Sequence, residues 1–324
     1  MQNNKENKEK QEKKEIINEP IDELDFIRRI IANFLRLHKC YDLIPQSGKV
    51  VVIDTNLRLK YAFQALAEQQ YQSAPLWDSE NNKYIGMLTV TDVVDIVCYF
   101  YEQKKIHEMN NCTISQWRKI KKMPGQLISI YPQTRMFDAI KQLSEKHFHR
   151  LPIIDPDSPS TILYVIKHIH VLRFVVDNLE LIHPALNKTL GEFKIGRFDS
   201  IISVTSDQPL IEVLRLLSEK RISGVPVVSE NNELVDVFSR SDITDFIVNE
   251  SLDDLNISIS EALAQKRKRL SSEFILYSCT LETTIREVIL KIAEINVSRL
   301  VCIDKDNKVI GVISITDLLE FFIV

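Results

Sequence analysis

A segment of about 75 residues recurs four times along this chain of 324 residues, and that repetition limits the possible folds more than any other feature. Each copy reads as a helix, a short strand with proline near its start, a turn, a second strand and another helix. The first strands and their lead-ins are Tyr71–Asp78, Phe148–Asp155, Ile222–Val228 and Val297–Asp304. Proline sits at Pro75, Pro152 and Pro226, with Val301 in its place in the fourth. Apolar residues at three- and four-residue spacing predict a helix before each strand: Leu57 to Gln70, Met136 to Lys146, Leu210 to Lys220 and Ile285 to Ile295. Candidate caps for these helices are Asp54 with Thr55, Thr134, Ser206 with Asp207, and Thr280. Polar clusters such as Asp78–Asn82 and Asp304–Asn307 predict the turns between strands.

The second strand of each copy runs into the piece that carries chemistry. Three copies end alike, as Gly86-Met87-Leu88-Thr89-Val90-Thr91-Asp92, Asp236-Val237-Phe238-Ser239-Arg240-Ser241-Asp242 and Gly311-Val312-Ile313-Ser314-Ile315-Thr316-Asp317. The second copy, Tyr164 to His170, has lost both hydroxyl and carboxylate. Read at Asp92, His170, Asp242 and Asp317, the intervals are 78, 72 and 75 residues.

A strand that ends in Ser or Thr and enters a helix with Asp in its first turn offers three groups to a nucleotide. Free helix N–H groups and the helix dipole favour an anion. Hydroxyls bond phosphate or ribose, and a carboxylate accepts from both hydroxyls of a cis-diol. Asp92, Asp242 and Asp317 are therefore assigned to ribose, with Thr89, Thr91, Ser239, Ser241, Ser314 and Thr316 beside them. The alternative is that each Asp does no more than cap its helix, stabilising it by about 1 kcal/mol. His170 cannot accept twice from a diol while neutral, so the second junction is expected to hold no nucleotide.

Four blocks, Cys40 to Pro45 (CYDLIP), Ala74 to Ser79 (APLWDS), Gly86 to Asp92 (GMLTVTD) and His149 to Pro156 (HRLPIIDP), carry a resemblance. The unit is similar to the cystathionine-beta-synthase (CBS) domain, and four in tandem resemble the gamma subunits of AMP-activated protein kinase. The resemblance implies an α/β fold of α+β CBS motifs, in which four repeats form two pseudo-symmetric pairs in a disc. It places the repeats at 34–103, 112–180, 190–250 and 258–324, after a tail at 1–20. It further implies binding of AMP, ADP or ATP as regulatory ligands, no cofactor, and assembly with a catalytic alpha subunit and a beta scaffold subunit. Phe34 to Ile53 is the docking segment it suggests. The Trp117 segment, with Arg118, Lys119, Lys121 and Lys122, reads as a surface helix or a partner-facing one.

In that family a basic residue three before the proline position faces the centre of the disc. Here the position holds Gln72, His149, Ser223 and Ser298, and the neighbouring residues are Arg150, Arg299 and, just ahead of Ser223, Arg221. Arginine suits phosphate because its fork bonds two oxygens at once; a solvated arginine or weak surface ion pair is the alternative. His149 also reads as a satisfied core histidine. Lys266, Arg267, Lys268 and Arg269 lie in the linker where the family places a phosphate-contacting arginine, although a charge run of this kind equally fits a solvated face. Gln72, Ser298 and Ile169 stand where the family has cations, and Arg197 with Ser200 changes a segment that approaches the base. Each lost cation removes about 1.5–3 kcal/mol of charged hydrogen bonding, so a scaffold subunit that does not answer to nucleotide is the second reading.

Composition enters by exclusion. A net charge of -4 does not suit a nucleic-acid binder. The residues from Met1 to about Glu15 hold almost nothing apolar, so that stretch is expected to be disordered and lacks the core of a secretory signal. No apolar run approaches the roughly 20 residues that span a bilayer. Five cysteines without metal-ligand spacing read as reduced thiols of a cytoplasmic or nuclear protein. Seven glycines leave no P-loop, GxGxxG or GxSxG, and no coherent triad is present, so no enzyme is expected. His147, His149, His168 and His170 lie close in sequence; His168 and His170 read as one face of a strand without further metal ligands.

Overall fold

The computed structural model describes residues 23–69, 71–146, 148–179, 184–249, 255–270 and 277–323. The expected tail at 1–20 and His147 lie outside them.

An amphipathic helix, α1 (Glu23–Leu37), precedes the first repeat. That repeat comprises β1 (Ile53–Asp54), α2 (Leu59–Glu68), β2 (Ser73–Asp78), β3 (Lys83–Thr89) and α3 (Val90–Glu102), followed by the connecting helices α4 (Ile106–Met109) and α5 (Ile114–Ile120). The second repeat contains α6 (Met136–Glu145), β4 (Arg150–Ile154), β5 (Ile162–Lys167) and α7 (His168–Asn178), and α8 (Leu190–Phe193) leads to the third. The third consists of β6 (Val204–Thr205), α9 (Leu210–Glu219), β7 (Gly224–Val228), β8 (Leu234–Ser239) and α10 (Asp242–Asn249). After α11 (Ile259–Leu270), the fourth has β9 (Ser278–Cys279), α12 (Ile285–Ile295), β10 (Arg299–Ile303), β11 (Val309–Ser314) and α13 (Ile315–Ile323).

Within a repeat the short first strand lies parallel to the first hairpin strand, giving the orders β1-β2-β3, β6-β7-β8 and β9-β10-β11. In the second repeat this ladder shrinks to one parallel bridge between Ile130 and Ile153. The strand proline is tolerated because the hairpin partner does not need its N–H. Where Val301 replaces it, the N–H finds Tyr277 O at 3.3 Å. All four hairpins carry a register shift at the same place, after Leu76, Ile153, Val227 and Cys302. Asn82, Asn232 and Asn307 turn three of the hairpins with positive φ (50°, 65° and 62°), a conformation asparagine tolerates better than most residues.

Apolar burial then joins the repeats in two ways. Helices α2 and α3 of the first pack against α10 and α9 of the third, and one core runs through Phe63, Val94, Leu214 and Phe238. Helices α6 and α7 of the second pack against α13 and α12 of the fourth, with α1 closing that core over α6 and α13. The sheet faces of the third and fourth repeats meet at Val228, Leu234, Val301 and Val309. Arg150 of the second reaches Gln72 of the first at 2.5 Å, so those two pair likewise.

Several local expectations change. Helices α2, α6 and α9 start after Arg58, Arg135 and Pro209, none of which caps with its side chain. The expected caps serve the preceding turns instead: Asp54 accepts from the Asn56 amide, and Thr134 from that of Tyr131. Only for α12 is a Thr the cap, and it is Thr284 rather than Thr280. Trp117 is not at the surface; it is 1% exposed, on α5, against Tyr99 and Phe100. His168 and His170 are not on a strand, because β5 ends at Lys167 and both lie in the first turn of α7.

Candidate nucleotide site

Three strand-to-helix junctions set a hydroxyl at the strand end beside a carboxylate in the first turn of the helix. At the first, the Thr89 amide and hydroxyl both donate to Asp92 Oδ2 at 2.7 Å, while the Asp92 amide donates to Thr89 Oγ1 at 3.3 Å. At the fourth, the Ser314 amide and hydroxyl reach Asp317 Oδ2 at 2.8 and 2.6 Å, and the Asp317 amide returns to Ser314 Oγ at 3.2 Å. At the third, Ser239 donates to Asp242 Oδ2 from its amide at 2.6 Å and from its hydroxyl at 2.9 Å, and Ser241 lies 2.7 Å from the Ser239 hydroxyl. At the first and fourth junctions the carboxylate thus completes a reciprocal cap, and in all three Oδ2 is the engaged oxygen, at the third with Ser239 at the end of β8. None is turned out to solvent: Asp242 is 8% exposed, and Asp92 and Asp317 are half-buried. Burial pushes the Asp92 carboxyl above its usual range despite the Thr89 hydrogen bonds that oppose it.

Guanidinium groups lie beside these acids, and Arg299 serves the third and fourth repeats together. Arg299, set by β10, donates to Ser223 Oγ of the third repeat and lies near Asp242 and Asp317. Burial lowers its pKa to about 10, against the pull of those carboxylates. Room for it comes from Gly224, where a Cβ atom would stand 2.7 Å from Arg299 Nη1 and 2.8 Å from Phe238 O. By the same symmetry Arg150 Nη2 meets Gln72 Oε1. Here no acid shares the space, and burial alone lowers the Arg150 pKa to about 10. Its surroundings are Lys167, His168 and His170.

The remaining expected residues divide. Thr91 accepts from Arg240 Nη1 at 2.6 Å, and Thr316 is half-buried. His149 is exposed rather than in the core, with its ring edge-on to His168 at 6.1 Å between centroids. Arg221 is not drawn to the centre: it is exposed in a left-handed turn (φ 53°), and its guanidinium makes no hydrogen bond or ion pair among the described residues. Arg267 is ion-paired with Asp236 of β8. The Lys266 side chain lies outside the described residues. Arg197 and Val312 exchange backbone hydrogen bonds at 2.9 Å, which seats Phe198 against Gly311.

Two residues not expected from the sequence belong to this centre. Arg240, 5% exposed, bonds Thr91 and the Leu217 carbonyl and lies near Asp92 and Asp95. Arg118 bonds the carbonyls of Ile85 and Pro124 and lies near Asp92. A cavity of about 290 Å³ opens away from the junctions, between α3 and α9, lined by Asp95, Tyr99, Glu102 and Arg215.

The second junction has a testable pH signature. Burial, with His149 and Arg150 adding, lowers the His168 pKa from 6.5 to about 4, and His170 falls to about 4 as well. Between these values the unfolded chain binds a proton that the folded chain refuses, so stability is full above pH 6.5 and is lost as pH falls toward 4. His168 alone contributes on the order of 3 kcal/mol across that window. Melting temperatures at pH 7 and pH 5 are expected to differ by several degrees in this direction, and a His168 NMR titration midpoint near 6.5 would contradict the assignment.

Four β-α-β-β-α units, each ending in a hydroxyl–carboxylate junction or its remnant, define the class. The CBS domain family matches residues 42–99, 118–177, 197–249 and 272–324, and the chain belongs to that family. Its sequence is 38% identical over 312 residues to the gamma subunit of 5'-AMP-activated protein kinase of Dictyostelium discoideum, covering 91% of this chain and 53% of that protein. It is 34% identical over 300 residues to the gamma-3 subunit of Bos taurus, covering 90% and 59%. The chain thus spans a little over half the length of these relatives. A solved structure from Methanocaldococcus jannaschii shares the fold with a TM-score of 0.71 at 16% identity, over 88% of this chain and 100% of that one. One from Pyrococcus horikoshii gives 0.53 at 16% identity over the same shares.

Proposed function

We propose that the chain is a gamma-type regulatory subunit of an AMP-activated protein kinase complex, binding AMP, ADP and ATP at the first, third and fourth junctions without catalysing a reaction. One observation carries the reading: a hydroxyl–carboxylate pair recurs at the start of three helices with a guanidinium beside it, Arg240 at the first and Arg299 at the third and fourth. Asp92, Asp242 and Asp317 take the ribose through the carboxylate oxygen that the cap leaves over. Thr89, Thr91, Ser223, Ser239, Ser314 and Thr316 supply hydroxyls, and Arg299, Arg150 and His149 face the phosphates. Replacing ATP by AMP then shifts the population of the complex between states of different kinase activity. Its partners are a catalytic alpha subunit and a beta scaffold subunit, in the cytoplasm or nucleus. Among the described residues no helix is long and apolar enough to cross a membrane.

Gln72 and Ser298 are exposed and uncharged, Arg221 faces solvent, and Arg267 is committed to Asp236. These facts favour a second reading, a scaffold subunit that assembles the kinase without sensing. Calorimetric titration of the full chain with AMP, ADP, ATP and adenosine separates the two. The sensor reading expects saturable AMP heat at up to three sites; flat traces at millimolar nucleotide would leave only the scaffold.

A further inference from the structure

The second junction lacks the acid that a ribose needs, yet it gathers Arg150, Lys167, His168 and His170. Arg150 and Lys167 are direct partners in the antiparallel β4·β5 ladder, so their side chains share one face. Like charges placed opposite each other on a sheet are destabilising. Among the described residues no acid is found to act on them: the charges acting on Lys167, His168 and His170 are Arg150, His149, Lys167 and Arg173, all basic. At the other junctions the counterpart space holds Asp92, Asp242 or Asp317.

The same point is also a helix N-terminus without a cap. Lys167 is the N-cap of α7, an 11-residue helix, and no side chain accepts from its first amides. Thr89, Ser239 and Ser314 occupy that end in the other repeats with their carboxylate partners. Three buried polar atoms of these residues have no hydrogen bond among the described residues: Arg150 Nε, His168 Nε2 and His170 Nδ1. His168 is only 4% exposed, so water does not solve its problem.

We infer that the junction of β5 and α7 binds a phosphoryl dianion, held by Arg150, Lys167 and the first amides of α7, without a nucleoside attached. The guanidinium fork bonds two oxygens, the ammonium adds a point charge, and the helix end supplies amides that need an acceptor. The sugar is excluded because His170 offers no carboxylate to a diol. The expected vacancy of the second junction thus concerns nucleoside, not anion. This inference shares Arg150 with the nucleotide reading but uses none of the three acidic junctions.

The test is titration of the full chain with inorganic phosphate, followed by calorimetry and by thermal melting against chloride at equal ionic strength. One phosphate is expected to bind and raise the melting temperature where chloride does not. Lys167→Gln is expected to weaken phosphate on the order of tenfold, the loss of one charged hydrogen bond. Asp92→Asn, Asp242→Asn and Asp317→Asn are expected to leave phosphate binding within about twofold. A second titration in saturating AMP, and another in adenosine, identifies the source: displacement by AMP but not adenosine means a nucleotide phosphate fills the position and overturns the free-anion assignment, and no displacement supports it. Absence of phosphate binding, a Lys167→Gln protein that folds and binds as tightly as the parent, or loss of binding in the Asp variants would each overturn it. The chloride-controlled melt needs no variant, so it decides even if Lys167→Gln does not fold.

Discussion

Arg240→Met is expected to lower the unfolding free energy by about 3–5 kcal/mol, the largest stability loss among the polar residues described above. The guanidinium is buried between the first and third repeats, donating to Thr91 Oγ1 at 2.6 Å and to the Leu217 carbonyl. Asp92 and Asp95 lie near enough to bear on it, and Asp95 adds to the burial that raises the Asp92 carboxyl. Methionine keeps the bulk and removes the cation, so two acids and a carbonyl lose their counterpart. That penalty belongs to an uncompensated buried charge, not to packing. The loss should shrink as pH falls from 7 to 5, because burial raises the Asp92 carboxyl and its protonated form no longer needs the cation. Urea unfolding at both pH values reads this. A change under about 1 kcal/mol, or one independent of pH, would deny Arg240 its role between the repeats.

The second large effect is on binding. Arg299→Ala is expected to weaken AMP by roughly 10- to 100-fold, since a charged hydrogen bond is worth about 1.5–3 kcal/mol and 1.4 kcal/mol is a factor of ten. Arg299 is the cation beside Asp242 and Asp317, and Gly224 has given up its side chain to admit it. Lysine should restore little, because it cannot reproduce the fork. Arg221→Ala, on the exposed turn, should leave the affinity within about twofold. Calorimetry on the three variants gives the comparison; equal affinities for Arg299→Ala and the parent would remove Arg299 from the phosphate.

Much of this was legible in the sequence because repetition turns weak local signals into register. The hairpins, their Asn turns and the recurrence of Thr89, Ser239 and Ser314 three residues before an acid follow from comparing the copies. What failed was whatever the copies do not share. Arg240 occupies a position that is Val90, His168 and Ile315 elsewhere, and its acceptor Thr91 lies 149 residues away. Comparison therefore passed over it. An apolar helix face states that something covers it but not which helix does, so the packing of α2 and α3 onto α10 and α9 was not legible. Helix α1 carries its apolar residues at helical spacing (Phe26, Ile27, Ile30, Ile31, Phe34, Leu35), and lay unread only because no copy repeats it. The cap errors at Asp54 and Thr134 have a local cause: short polar side chains serve a preceding turn as readily as a helix.

The carboxylates raise the sharper question, because all three already use Oδ2 in local hydrogen bonds, two of them as caps. A cap engages one oxygen and positions the other, so capping and ribose binding are compatible at one residue. A crystal structure of the full chain grown with AMP decides this. The account predicts nucleotide at the first, third and fourth junctions or a subset of them, with ribose hydroxyls on Asp92, Asp242 or Asp317 and no nucleoside at His170. Nucleotide bound elsewhere, or well-ordered junctions with no nucleotide at saturating AMP, would contradict it.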